Sequence, residues 1–354
     1  QAAVCPSAIR AFQLENPKLR ARDAADALGI SEAQLVAAGV GRGTTRIAAH
    51  PDQIIPAAER LGEVMALTRN DSCVIEKTGA YADFQGGAHA GMVLNGEMDL
   101  RMFPRHWVHG LAVEKPLKDG GIRRSIQIFD AAGDAVHKVF LQGEARLADW
   151  QAVVEELRLE DQADSLEVAP RSPVEPAKGD PEQAVALRAA WDEITDTHQF
   201  VQMVRKQKLN RLGAYRIAGA PYVRPLATNV VTTLLEQAAE TALPIMVFVG
   251  NMGCIEIHTG PIKTVKPMGP WINVLDPRFN LHLRADHIAE VWQVTKSTKR
   301  GDAVSVEAFD KRGMLILQMF GVLAEPEAAE TWNRMVFALE GLETPAAHIQ
   351  AEPA

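Results

Sequence analysis

Apolar positions along the chain change from a helical to an alternating spacing, and the same change occurs twice. Residues 20–39 and 194–219 carry apolar side chains at helical spacing, and in each case strand-like runs follow. The runs include RRSIQIFDAAGDAVHKVF in the first half and AVSVEAFDKRGMLILQMF in the second. Helices that precede consecutive strands, which are joined here by hairpin turns containing Asp and Gly, predict an α+β fold with antiparallel sheets.

The repetition indicates a tandem duplication. CVIEKTG at 73–79 matches CIEIHTG at 254–260, and FDAAGDAVHKVF at 129–140 matches FDKRGMLILQMF at 309–320. Between the copies, residues 159–183 are rich in Pro, Asp and Glu and lack apolar periodicity. We therefore predict an N-terminal repeat at 1–158, a linker at 159–183, a C-terminal repeat at 184–343 and a flexible tail at 344–354.

Composition narrows the class of protein. The 354 residues, 47% of them apolar, are enough for two cores, and a formal net charge of −8 disfavours a general nucleic-acid binder. Cys5, Cys73 and Cys254 are odd in number and have no CxxC spacing, so neither a disulfide framework nor a structural zinc site is indicated. No apolar run approaches the ~20 residues of a membrane span, and no secretory signal is visible. We expect a cytoplasmic protein that does not insert into membranes.

His198 stands out among the ten histidines. Asp196 or Thr197 can cap the helix that follows, which places His198 in its first turn. An apolar helix face lies nearby, together with a group of basic residues: Arg205, Lys206, Lys208 and Arg211. Such a surface suits a flat apolar ligand whose metal takes an imidazole and whose carboxylates take Arg or Lys. The alternative is a capping-region histidine on an ordinary amphipathic helix.

Two further cations are candidates with open alternatives. Arg101, in the strand-like segment DLRMF, shares a sheet face with Phe103 and is either salt-bridged or directed into a pocket. Lys296 lies in VTKSTKRGD, which taken alone predicts a solvated basic turn. Nucleotide-binding glycine motifs and nucleophile-elbow motifs are absent from the sequence.

Several long segments together resemble the HemS/HmuS family of bacterial haem-utilisation proteins, the hemin-degrading factors. They are ITDTHQF, the stretch from MVFVGNMGCIEIHTG to NLHLR, and EKPLKDGGIRRSIQIFDAAGDAVHKVF, and the resemblance covers about residues 10–343. It implies two similar α+β halves, each with a large antiparallel sheet, and one haem in a cleft between them. It also implies that His198 is the axial iron ligand.

The resemblance implies roles for other residues as well. Arg101 matches a distal arginine that can act on a distal water or an iron-bound oxygen, and Phe103 a neighbouring aromatic residue. Arg211 and Lys296 match basic residues near the haem propionates. Gln318 matches a polar pocket residue. Phe320 keeps an aromatic ring but lacks the hydroxyl expected there, and Leu323 stands where the family pattern has an arginine.

Two functions follow from the resemblance. The first is a carrier that receives imported haem and delivers or stores it, with a haem importer or a downstream haem oxygenase as partner. The alternative is a haem-degrading enzyme that uses Arg101 and an external electron donor and releases iron and a linear tetrapyrrole. The missing arginine at 323 favours binding and trafficking. A duplicated structural domain without a ligand is the third hypothesis.

Overall fold

Helices and strands follow the predicted order in the first half of the chain. The computed structural model describes residues 4–349. In chain order the elements of the first half are α1 (Pro6–Glu15), α2 (Ala21–Leu28), α3 (Glu32–Ala37), β1 (Thr44–Ile47), α4 (Pro51–Arg60), β2 (Glu63–Arg69), β3 (Cys73–Ala80), β4 (Gly91–Leu94), β5 (Asp99–Met102), β6 (His109–Pro116), β7 (Ile122–Phe129), β8 (Ala135–Leu141) and α5 (Leu147–Leu157).

The second half repeats this arrangement of helices followed by strands. Its elements are α6 (Ala184–Asp192), α7 (Gln199–Lys206), α8 (Arg211–Ala218), β9 (Val223–Leu226), α9 (Val230–Thr241), β10 (Ile245–Gly250), β11 (Cys254–Gly260), β12 (Val265–Met268), β13 (Trp271–Leu275), β14 (Phe279–Arg284), β15 (Glu290–Thr298), β16 (Gly301–Phe309), β17 (Leu315–Gly321), α10 (Pro326–Phe337) and α11 (Ala346–Ile349). The short helix α11 lies within the predicted flexible tail, and residues 350–354 lie outside the described part.

The chain divides into two compact units, and each unit is built from more than one stretch of the sequence. Within the described residues, unit 1 comprises 4–70, 75–172 and 250–256, and unit 2 comprises 71–74, 173–249 and 257–349. Each unit therefore includes a short segment from the other repeat. The repeat boundaries predicted from the sequence stay predictions.

Unit 1 has a strand order of β1–β6–β7–β8–β2–β3 and a second group of β4–β5–β11. Ile54 and Trp150, from α4 and α5, belong to a core that covers one sheet face, and α3 packs near Phe129 in a separate cluster. The β7–β8 hairpin turns at Asp130, whose Oδ1 accepts hydrogen bonds from two backbone N–H groups, and Gly133 adopts a φ of +83° there. The Asp and Gly of the predicted hairpin therefore have the roles that the sequence pattern suggests.

Unit 2 contains the strand orders β10–β17–β16–β15–β9 and β14–β13–β12. Helices α6, α7 and α8 bury one face of its larger strand group, where Trp191, Phe200 and Tyr215 pack with Trp292 and Phe309. Helix α10 packs against β16 and β17. The aromatic side chains thus hold α7 and α8 firmly on the sheet, which matters because both helices carry predicted site residues.

The predicted linker is extended but closely packed. Within unit 1, Leu166 is buried, its carbonyl accepts a hydrogen bond from Gln34 Nε2, and the N–H of Ala169 bonds to the carbonyl of Ala131. Within unit 2, the linker passes so near α8 that a Cβ at Gly213 would lie 1.9 Å from the carbonyl oxygen of Lys178. A side chain at position 213 therefore requires the linker or α8 to move.

Among residues 4–349, no helix is both long enough and apolar enough to cross a membrane.

Candidate functional site

His198 lies immediately before α7, held there by a capping arrangement. Asp196 Oδ1 accepts hydrogen bonds from the backbone N–H of His198 at 2.8 Å and from the His198 ring at Nδ1 at 2.7 Å. Gln199 Oε1 accepts a bond from the N–H of Thr195. His198 is the N-cap residue of α7 and has helical backbone dihedrals (φ −67°, ψ −22°), so it lies within one residue of the predicted first turn.

The hydrogen bond to Asp196 determines which ring nitrogen of His198 is available. A carboxylate can only accept, so Nδ1 carries the proton and the neutral ring presents its lone pair at Nε2. The side chain is 87% exposed, and Nε2 has no partner among the described residues. The bonds from His198 also lower the pKa of Asp196. An imidazole oriented by a carboxylate in this way is a common arrangement of metal ligands.

Phe200, two residues after His198, connects the start of α7 to two cations. Its buried ring lies 4.7 Å from the ring of Trp191, centroid to centroid. The Nζ of Lys296 is 4.2 Å from the Phe200 centroid, and the guanidinium carbon of Arg211 is 6.0 Å from it. His198 and the two predicted basic residues therefore lie on elements that meet at one aromatic side chain.

The prediction that Lys296 lies in a solvated turn is wrong. Strand β15 continues to Thr298, so Lys296 lies within the sheet and only 3% of the residue is exposed. Register pairs Lys296 with Ala303 and Val294 with Ser305, which directs the Lys296 side chain toward the helix-covered face. The basic turn predicted from the sequence begins after this strand, at Lys299 and Arg300.

A buried carboxylate, Glu307 on β16, collects the polar groups of this region. Its Oε1 accepts bonds from Tyr215 Oη at 2.8 Å, Gln318 Nε2 at 2.8 Å and Arg211 Nη1 at 3.2 Å. Its Oε2 accepts bonds from Tyr215 Oη at 2.9 Å and Ser305 Oγ at 2.7 Å. We call these residues the Glu307 cluster and include Lys296, whose charge acts on the same carboxylate.

Electrostatics in the Glu307 cluster favour its charged state. Burial alone raises the pKa of Glu307, but Lys296, Arg211 and the donated hydrogen bonds lower it below the usual value. The pKa of Lys296 is lowered to about 8, chiefly by burial; Glu307 opposes this effect and Arg211 adds to it. The pKa of Arg211 is raised by Tyr215 and Glu307 against the effect of burial. Two cations and one anion leave one net positive charge.

An apolar surface continues from the Glu307 cluster along the same sheet face. Gln318 pairs with Glu307 and Phe320 with Ser305, so Gln318 and Phe320 share their face. Phe248 pairs with Gln318 on the other side, and its ring centroid lies 5.0 Å from that of Phe320. Both rings are only partly buried. They offer an aromatic wall beside the polar cluster.

A cavity of about 230 Å³ opens between α7 and α8 in unit 2. Phe200, Val201, Val204 and Leu209 form its apolar lining, and Arg211 lies at its polar end. This volume is below the ~300–1,000 Å³ of typical small-molecule pockets, so it can hold only part of a large ligand. Within residues 4–349, no group of three or more His, Cys, Asp and Glu side chains could hold a metal ion.

Arg101 and Phe103 belong to unit 1. Of the two alternatives for Arg101, the structure shows the salt bridge, in which Nη1 lies 2.5 Å from Asp99 Oδ1. Burial raises the pKa of Asp99, and Arg101 opposes that effect. Phe103 follows β5 and donates its backbone N–H to the carbonyl of Gly253. Leu323, where the family pattern has an arginine, follows β17 and is partly buried.

Sequence reasoning missed the centre of the cluster. Glu307 was not singled out, nor were Tyr215 and Ser305. One feature of the sequence does point to the cluster. The strand-like segment AVSVEAF contains a single glutamate, two residues after Ser305, so alternation places both side chains on the same sheet face. A charged residue in such a position needs a buried partner.

The chain is similar to known proteins over most of its length. A family model described as the haemin-degrading HemS/ChuX domain matches the chain twice, at residues 29–157 and 208–339. The hemin transport protein HmuS of Yersinia pestis is 35% identical over 327 residues, which cover 92% of this chain and 94% of the relative.

Solved structures show the same fold. Holo-PhuS, a heme-binding protein from Pseudomonas aeruginosa, superposes with a TM-score of 0.90 at 40% identity, covering 96% of this chain and all of PhuS. ChuS, a heme degrading enzyme of Escherichia coli O157:H7, gives 0.84 at 31% identity over 93% of this chain and 97% of ChuS. The predicted fold class, a duplicated α+β fold, is confirmed.

Proposed function

Because the chain belongs to the haemin-degrading HemS/ChuX domain family, we propose that it binds haem and carries or stores it after import. Membership confirms the resemblance identified in the sequence. Relatives described as hemin transport and heme-binding proteins, similar over more than nine-tenths of the chain, support the proposal. The observation that carries it is His198, whose exposed Nε2 is presented by a ring fixed at Nδ1 by Asp196.

A single imidazole is a sufficient protein ligand when the iron arrives inside a porphyrin, because the macrocycle supplies the other nitrogen donors. His198 would bind the iron through Nε2. Asp196 would orient the ring and increase the basicity of the ligand nitrogen through its hydrogen bond. This role fits the geometry described above, since Nδ1 is already engaged and Nε2 faces solvent.

Arg211 and Lys296 are the proposed partners of the propionates. Both contacts of Arg211 to the cluster use Nη1, so Nε and Nη2 remain to meet a carboxylate, with no partner among the described residues. The net positive charge of the cluster favours an anionic group. Gln318 is a proposed polar contact, and Phe320 with the neighbouring Phe248 is the proposed apolar surface for the macrocycle.

Arg101 and Phe103 stay predictions from the family resemblance. In the structure the guanidinium of Arg101 is paired with Asp99. A haem importer and a downstream oxygenase are the partners that the carrier function would require. The expected cytoplasmic location likewise stays a prediction.

Haem degradation is the second candidate function, because ChuS is described as a heme degrading enzyme. Two positions in this chain favour carriage instead. Leu323 replaces the expected arginine, and Phe320 lacks a hydroxyl, so a donor and a cation are missing from the set of groups that could assist oxygen chemistry.

A hemin titration tests the proposal. The wild type should develop a sharp Soret band that saturates at one haem per chain, and His198→Ala should lose that ordered spectrum. His89→Ala, which removes another exposed histidine, is the matched control and should behave as the wild type. An unchanged spectrum in His198→Ala would refute the ligand assignment.

The same complex separates the two candidate functions. Ascorbate or an electron-donor reductase is added in air, with catalase present to remove peroxide. A carrier keeps its Soret band. Progressive bleaching to a defined linear tetrapyrrole would establish the enzyme instead, and Arg101→Ala would then show whether Arg101 contributes.

A further inference from the structure

Glu307 is an unexpected residue for a surface that is proposed to bind an anion. It is completely buried and charged, and it lies beside the two cations proposed to meet the propionates. A negative charge at this place would repel a carboxylate if it acted alone. Its contacts show why it is compatible with anion binding.

The Glu307 carboxylate fixes side chains from three separate elements. It accepts from Arg211 and Tyr215 of α8, from Ser305 of β16 and from Gln318 of β17. Arg211 and Gln318 therefore have defined positions before any ligand arrives. Ordering side chains in advance lowers the entropy cost of binding.

Glu307 also maintains the charge of Lys296. The Lys296 ammonium is buried over the Phe200 ring, where loss of hydration favours the neutral amine. The charged groups that act on it are Arg211 of α8, which favours deprotonation, and Glu307 of β16, which favours protonation. Tyr215 of α8 is neutral, because burial and Glu307 raise its pKa well above the usual value.

We propose that Glu307 is a positioning residue that holds Arg211 and Gln318 in place and keeps Lys296 protonated, so that the site selects tetrapyrroles bearing free carboxylates. This inference rests on the proposed haem binding. It goes further by assigning the selectivity to a residue that does not itself contact the ligand. The uncharged dimethyl ester of hemin is the discriminating ligand, because it keeps the iron and the macrocycle and removes both carboxylates.

The experiment compares hemin with hemin dimethyl ester in one detergent-containing buffer. The wild type should bind hemin at least about tenfold more tightly, since a charge-assisted contact is lost with the ester. Its preference should decline as pH rises through about 8, where Lys296 titrates. In Glu307→Gln the preference should fall to about threefold or less at pH 8 and its decline should begin at lower pH. Glu307→Asp should recover part of it.

Glu290→Gln is the matched control. Glu290 is equally buried, lies on β15 and forms a two-pronged ion pair with Arg216 of α8. Its removal disturbs the same helix and sheet but none of the groups of the Glu307 cluster. It should leave both the ester preference and the pH profile unchanged.

A second measurement needs no haem. NMR of ¹³C-labelled lysine in the ligand-free protein, with Lys296→Arg for assignment, follows the Lys296 titration directly. Its pKa should be lower in Glu307→Gln and unchanged in Glu290→Gln. A wild type that binds neither tetrapyrrole overturns the proposed function. Tight hemin binding with the same preference and the same Lys296 pKa in Glu307→Gln overturns only the role of Glu307.

Discussion

Glu256 should make the protein less stable as pH rises, and replacing it with glutamine should remove that effect. The residue lies on β11, pairs with Leu100 of β5 and is completely buried in unit 1. Neither carboxylate oxygen makes a hydrogen bond of ordinary geometry within the described residues, and the backbone N–H of Thr68 stabilises the charged form only weakly. Burial, together with Glu76, raises its pKa well above 4.5, and Lys77 only partly opposes this. The native carboxyl therefore keeps its proton at pH values where the carboxyl of the unfolded chain has lost its own.

The magnitude follows from proton linkage. Above pH 4.5 the carboxyl of the unfolded chain loses its proton and the native one keeps it, so the unfolded state is favoured. The free energy of unfolding falls by about 1.4 kcal/mol for each pH unit until the native carboxyl also ionises. Glu256→Gln does not titrate. It should match the wild type near pH 4.5 and become progressively more stable than the wild type above it.

Urea denaturation at a series of pH values between 4.5 and 8 measures this difference. Glu32→Gln is the control of opposite sign. Glu32 is buried in the same unit, and although burial opposes it, the Lys138 ammonium 2.5 Å away lowers its pKa. The stability that ionised Glu32 adds to the native state is present above the pKa of this carboxyl in the unfolded chain and is lost in acid. Glu32→Gln should therefore be less stable than the wild type at pH 7. If Glu256→Gln follows the wild type at every pH, the native carboxyl is ionised and the burial argument is wrong.

Two further substitutions test packing and buried hydrogen bonding. Gly213→Ala places a Cβ 1.9 Å from the Lys178 carbonyl oxygen, so we expect the free energy of unfolding measured in urea to fall by about 1–3 kcal/mol. Hemin binding should also weaken, because α8 must shift and Arg211 moves with it. Unchanged stability would show that the linker moves aside freely. Tyr81→Phe removes the hydroxyl that forms a hydrogen bond with Nε2 of His137, a residue whose pKa is lowered by burial to about 3. We expect the free energy of unfolding near pH 7 to fall by about 1–3 kcal/mol, because a buried ring nitrogen loses its partner. An unaltered midpoint of thermal unfolding would contradict this.

The hairpins and the short helices were predictable because their signals are local. Asp130 and Gly133 determine their turn within five residues, and Asp310 and Gly313 do the same in the second copy. The two helices around Gly29 follow for the same reason, since that glycine ends α2 with a positive φ. Such elements require no knowledge of distant partners.

The Glu307 cluster was not predictable, because its contacts join residues far apart in sequence. Tyr215 and Glu307 are 92 positions apart, and their hydrogen bond depends on how α8 docks on the sheet. Lys296 shows the same limit. Its neighbours indicated a solvated turn, but the length of β15 places it inside the sheet. The linker is a third case, since its sequence lacks apolar periodicity and Leu166 is nevertheless buried.

The two repeats differ in a way that explains why the second carries the candidate site. Each has a buried ion pair between a helix and the sheet. In unit 1 the cation is Lys138 on the sheet and the anion is Glu32 on α3, and the pair itself carries no net charge. In unit 2 the aligned sheet position holds Gln318, the anion is Glu307 and the helix supplies Arg211.

The excess cation comes from one further position. The 181-residue offset between CVIEKTG and CIEIHTG places Lys115 of β6 opposite Lys296 in the alignment of the repeats. Lys115 is exposed near the end of its strand, where water screens its charge. Lys296 is buried, with its ammonium over the Phe200 ring. Arg211 and Glu307 already neutralise each other, so Lys296 adds one positive charge to the cluster. A low-dielectric surrounding makes that single charge more effective toward an anion than an exposed lysine would be. Duplication thus supplied two similar sheets, and the burial of one lysine in the second gives that surface the net positive charge on which the proposed contact with the haem propionates depends.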